Sequence, residues 1–136
     1  MVKLTDNKGK GVFATTSISK GQIIETSMAV ELPDSDKETL DETIIWDYYF
    51  DTSPCEFGLK EKAYILLGYA SLCNHSSVPN AAIVWSTGVL GVRGDLVSLK
   101  QIAAGEEISI WYTNVNEYVS KGLIPASDAV RSEEVR

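Results

Sequence analysis

Residues 74–80 read Asn-His-Ser-Ser-Val-Pro-Asn, and residues 105–112 read Gly-Glu-Glu-Ile-Ser-Ile-Trp-Tyr. The first stretch holds the chain's only histidine, His75, directly after Asn74. It follows a run that includes the small residues Gly68, Ala70, Ser71 and Cys73, which let another segment or a ligand come close. The two stretches lie far apart in the chain, so only a non-local fold brings Tyr112 beside Asn74. An Asn side chain offers a donor and an acceptor together, which suits the zwitterionic end of an amino acid. The backbone of His75 is suited to the edge of a heterocycle. Taken singly, each feature has a plainer structural meaning. Asn74 and His75 close a turn before Pro79, and Tyr112 is an amphipathic residue at the end of a strand.

Outward from these stretches the chain reads as short strands separated by turns. Residues 1–14 give a strand, a breaker at Asn7-Lys8-Gly9-Lys10-Gly11 and a resumed strand at 12–14. Gly9 and Gly11 flank Lys10 and leave two backbone positions without side chains. After a turn at 19–22, the β-branched residues of 23–30 predict a strand that Pro33 stops. Leu40, Ile44, Ile45 and Tyr48 fall at helical spacing and predict an amphipathic helix over 38–50, broken by Thr52-Ser53-Pro54. Acids near its start complement the helix dipole. Residues 62–73 fit a short helix slightly better than a strand. Strands are expected at 81–85, 89–92, 96–99 and 108–112, with turns at 86–88, 94–95 and 103–105. In the tail, Tyr118, Leu123 and Ile124 are candidates to dock, while 127–136 is expected to fray.

At 136 residues the chain is one domain, long enough to bury a core without staples. Cys55 and Cys73 read as free thiols of a reducing compartment. No apolar run approaches the roughly 20 residues of a membrane span, so a soluble, intracellular protein is expected, cytoplasmic or nuclear. The net charge of −7 is concentrated in 34–62, with nine acids against three lysines. Such a field attracts cationic partners and repels nucleic-acid phosphate, although a merely solvated face carries the same signature. With one His for every candidate nucleophile and no nucleophile elbow, a serine or cysteine hydrolase fits poorly. One His without a clustered carboxylate pair gives no metal site.

In combination and in this order, Gly-Lys-Gly-Val-Phe-Ala (9–14), the Asn-His stretch and the segment ending at Tyr112 resemble the SET-domain protein lysine methyltransferases, over about residues 8–114. The resemblance implies a mostly β chain with short helices (α+β), a β-clip of small sheets with a knot-like C-terminal crossing. It implies S-adenosyl-L-methionine as cofactor, held by Gly9, Lys10, Gly11, Asn74 and His75, and Tyr112 as the catalytic tyrosine. Residues 1–114 correspond to the SET domain, with 34–62 as the variable insertion walling the substrate groove, and 115–136 to a partly docked tail. Tyr48 and Ile110 become candidate substrate-binding residues, and a lysine-rich protein or peptide, a histone among the candidates, becomes the substrate. A homodimer is a candidate assembly. The chain departs from the family in three places. Ser71-Leu72-Cys73 stands where relatives carry Arg-Phe-Ile/Val, Ile110 stands where many carry Phe or Tyr, and the cysteine-rich zinc-binding tail is absent. A non-catalytic module binding a basic peptide or the cofactor is the alternative, and a β-clip structural domain without a ligand is a third reading.

Overall fold

The computed structural model describes residues 1–51 and 62–131. The predicted breaker at 52–54, Cys55 and residues 132–136 lie outside the described residues.

Two sheets make the framework. The smaller is built from β1 (Val2–Leu4), β2 (Lys10–Phe13), β6 (Asn74–His75) and β9 (Glu107–Ile110), in the spatial order β1-β2-β9-β6. β9 pairs antiparallel with β2 and parallel with β6, placing Asn74 opposite Ser109 and His75 opposite Ile110. A late segment thus enters between two that were laid down much earlier, as the crossing expected at the C-terminus requires. The larger sheet holds β3 (Ile23–Leu32), β4 (Tyr49–Asp51), β5 (Ala63–Leu66), β7 (Ala81–Gly88) and β8 (Gly91–Ser98), in the order β4-β5-β3-β8-β7.

Several local expectations are corrected. The helix predicted over 38–50 is split into α1 (Asp34–Leu40), a 3-10 turn (Ile44–Asp47) and β4. Thr43 causes the break, because its hydroxyl donates to the Leu40 carbonyl and accepts from the Ile45 amide, competing with the helix ladder. Tyr49 and Phe50 then pair with Ile65 and Tyr64 of β5, where aromatic residues suit a pleated surface. Residues 62–73 form β5 and a 3-10 turn (Tyr69–Leu72), not one short helix. Gly94-Asp95 lies inside β8, and the hairpin reverses at Val89-Leu90, since β7 and β8 pair as far as Gly88 opposite Gly91. Gly94 is needed for packing. A Cβ there would sit 2.9 Å from Leu66 Cδ1 and 3.1 Å from Ile83 Cγ2. The last strand ends at Ile110, leaving Tyr112 beyond it. The tail forms α2 (Val115–Ser120) and a 3-10 turn (Ala126–Ala129), so regular structure extends past 127, where fraying was expected, while Val130 is 72% exposed.

The core has two parts. One is aliphatic, centred on Val12, Leu66, Leu96, Ile102, Ile108 and Ile110 between the sheets. The other is largely aromatic and joins Trp46, Tyr49 and Tyr118 to Leu32 and Ala63. Tyr112 packs against both. Among the described residues no helix is long and apolar enough to cross a membrane, and no group of His, Cys, Asp and Glu could hold a metal ion.

Candidate active site

The glycine turn is tied to the Asn-His segment. Thr5 closes the turn, its backbone N–H and its hydroxyl both donating to the Gly9 carbonyl (2.7 and 2.9 Å). Gly9 has φ of +71°, where a side chain would be strained. Gly11 serves a different purpose. A Cβ there would lie 2.6 Å from Glu107 Oε2 and 3.1 Å from Asn74 Nδ2. Its absence lets the Asn74 amide donate to both the Lys10 carbonyl (3.0 Å) and the Glu107 carboxylate (2.8 Å). Lys8 Nζ donates to the His75 carbonyl at 3.3 Å. Gly9, Lys10, Gly11, Asn74 and His75 therefore come together around β9, which lies between β2 and β6.

His75 is buried, and both ring nitrogens are committed. Nδ1 accepts the Tyr112 backbone N–H at 2.9 Å, so Nε2 carries the proton and donates to the Asp128 carbonyl at 2.7 Å. The ring lies between Trp111 and Tyr112, with centroids 4.8 and 5.3 Å away. Burial depresses its pKa, and the Lys8 charge adds to this. The Asp128 carbonyl and carboxylate oppose it only in part. A protonated Nδ1 would also meet the Tyr112 N–H donor to donor. The imidazole thus fixes the chain direction at Tyr112 and fastens the tail.

The Tyr112 hydroxyl donates to the Cys73 carbonyl at 2.7 Å, one residue before Asn74. Burial raises its pKa, and the Asp47 carboxylate is the next cause, so the phenol stays protonated. Burial likewise pushes the Cys73 thiol up to about 12, which makes it a poor nucleophile. Tyr112 faces a narrow cavity of about 20 Å³, walled also by Tyr48, Phe50, Asp47, Ser71 and Tyr118. That is room for roughly one water. Tyr48 thus shares the cavity with Tyr112. Ile110 does not, being 2% exposed in the aliphatic core. A larger cavity of about 230 Å³, beside Phe13, Thr15, Gln22 and Tyr69, has none of the predicted site residues in its wall.

Sequence reasoning missed two contributors. Asn80 clamps β9, its amide donating to the Glu107 carbonyl and accepting from the Ser109 N–H, both at 2.8 Å. The closing Asn of the 74–80 stretch was the available signal. Tyr118, expected only to dock, donates to Asp47 Oδ1 at 2.6 Å and packs with its ring tilted against that of Tyr112, centroids 5.0 Å apart. No spacing links it to Asp47.

The SET domain family matches residues 9–113, which include every site residue predicted from the sequence. The chain belongs to the SET-domain family. Members of that family are generally protein lysine methyltransferases. A similar solved structure is the crystal structure of a Plasmodium falciparum "putative histone methyltransferase". It is 26% identical, with a TM-score of 0.63, over 82% of this chain and 90% of that one. No curated protein sequence matches the chain. In this SET domain the segment beyond the family match, 114–131, is fastened by hydrogen bonds to earlier parts of the chain. It is held by His75 on Asp128, Tyr118 on Asp47, and Trp46 Nε1 donating to Glu117 at 3.1 Å.

Proposed function

We propose that this SET domain is an S-adenosylmethionine-dependent protein lysine N-methyltransferase acting on a lysine-rich protein or peptide, with a histone as the first candidate. The observation that carries the reading is the Tyr112 hydroxyl, set on the Cys73 carbonyl in an aromatic cavity beside the Asn74–His75 edge. The residues at that edge fit the cofactor chemically. The Lys8 ammonium suits a carboxylate, and the open backbone of Gly9 and Lys10 with the Asn74 amide suits an amino-acid group. The cofactor, when bound, supplies an electrophilic methyl on a sulfonium.

The remaining work falls to the chain. Neutral lysine costs about 5 kcal/mol to populate at pH 7, given a reference pKa near 10.4. A narrow aromatic cavity lowers that cost by disfavouring the ammonium. Tyr112 orients the amine without bonding to it covalently, and the cavity walls exclude water, so alignment supplies most of the acceleration. Residues 1–114 form the catalytic unit on this reading, with 115–131 as its cover and the acidic segment from Asp34 as the wall facing a basic peptide.

The test is transfer of labelled methyl from S-adenosylmethionine to a panel of lysine-rich proteins including histones, with Tyr112→Phe alongside. Label is expected on lysine with the intact tyrosine and a loss of about 100-fold without it, with cofactor binding nearly unchanged. Cofactor or peptide binding without any transfer would instead identify a binding module.

A further inference from the structure

The carboxylates in the cavity wall are not equivalent. Asp51 is neutralised by Lys37 Nζ at 3.0 Å. Asp47 is within ion-pair distance of no Lys or Arg among the described residues, and its one side-chain partner there is the neutral phenol of Tyr118. That phenol also reaches the Asp47 backbone carbonyl at 3.4 Å. Two further charged groups contact the neighbouring Trp46. Glu117 on α2 accepts from Trp46, and Lys121 lies over the Trp46 ring at 3.3 Å. Asp47, an exposed residue, therefore brings a carboxylate without a cationic partner to a cavity lined also by the aromatic residues Tyr48, Tyr49, Phe50, Tyr112 and Tyr118 and by the polar residues Ser71, Thr113 and Asn114. Aromatic faces with one uncompensated carboxylate form a receptor for an alkylammonium.

We infer that Asp47 is a specificity-determining residue that receives the substrate's ε-ammonium, and that Tyr118 is the positioning residue that aims it. This rests on the lysine reading above and deepens it. The consequence is a division of labour. Asp47 favours the charged lysine on arrival, whereas the desolvating cavity beside Tyr112 favours the neutral amine that reacts. Removing the carboxylate therefore weakens capture and eases deprotonation of what is bound.

Asp47→Asn isolates the charge, because the amide oxygen still accepts the Tyr118 hydroxyl. The first measurement is an NMR titration of the full chain with n-butylammonium, the end of a lysine side chain, and with the neutral n-butanol. The wild-type protein is expected to prefer the cation about tenfold, Asp47→Asn to lose that preference, and Tyr118→Phe to keep part of it. Glu106→Gln, in the exposed turn before β9 and outside the cavity wall, makes the same change of net charge and is expected to behave as wild type. Wild-type indifference between the two probes, or an undiminished preference in Asp47→Asn, would overturn the inference. If transfer is found, Asp47→Asn should also raise KM about tenfold and move the alkaline rise of kcat to lower pH. An unmoved kcat profile would overturn it equally. Cation preference that depends on Asp47 without methyl transfer would support this inference while sinking the enzyme reading.

Discussion

The two parts of the core solve different problems. The aliphatic part between the sheets is dry, with Leu66, Leu96, Ile102 and Ile108 each at most 2% exposed. These four side chains have no polar tips to satisfy, so shape and buried area decide its stability. The aromatic part carries a polar tip on each of its buried aromatic residues, and each of these tips meets a carboxylate. Tyr49 donates to Asp41, Trp46 to Glu117, and Tyr118 to Asp47. The carboxylates come from the acidic segment and from α2, so this part ties the tail to the insertion rather than sheet to sheet. Tyr112 stands where the two meet. A rigid aliphatic base thus holds the tyrosine, while a hydrogen-bonded aromatic cap covers it.

Substitutions on either side should separate these roles. Ile108→Ala opens a cavity in the dry part and should cost about 2–5 kcal/mol of global stability, read as a lower denaturant midpoint in every region together. Tyr112→Phe, at the junction, leaves the Cys73 carbonyl without its donor and should cost about 1 kcal/mol of stability against the far larger loss of transfer. Equal losses in fold and transfer would make Tyr112 a packing residue only. Trp46→Phe removes the bond to Glu117 and part of the cap, at about 1 kcal/mol. Hydrogen exchange should quicken in α2 and leave β3 and β8 protected. Global loosening would erase the distinction between base and cap.

The smallest effect is expected from pH. Because the folded pKa of His75 is depressed, the neutral ring contributes stability that is fully present above the unfolded value near 6.5. That stability is lost as pH falls from there through the folded value. Exchange protection at the Tyr112 amide and around Asp128 should decline over that window, and His75→Gln should remove the response. A tail equally protected at pH 7.5 and 5 would mean that the imidazole does not fasten it.

How much was legible depends on whether a signal was local. Gly9 and Gly11 were readable because glycine has few substitutes at a positive φ or beneath a close contact. Asn74, His75 and Tyr112 were readable as an ordered set that resembles a family, not from their own propensities. Misreading arose where tertiary pairing overrode local preference. Tyr48-Tyr49-Phe50 continues a helical spacing, yet β5 draws Tyr49 and Phe50 into a strand. Gly94-Asp95 looks like a turn, yet Leu66 needs the missing Cβ. Ile110 was expected at the substrate wall, but the alternation of β9 sends Ile108 and Ile110 to the core.

By itself the sequence determined the family, a mostly β chain, the glycine turn, and the residues from which a site could be drawn. Only the tertiary structure decided the parallel pairing of β6 with β9, the use of both His75 nitrogens, and the meeting of Asp47 with Tyr118. The physical reason is range. Propensity and spacing act over one turn or one strand, whereas these contacts join segments whose closeness arises only when the last strand enters between β2 and β6.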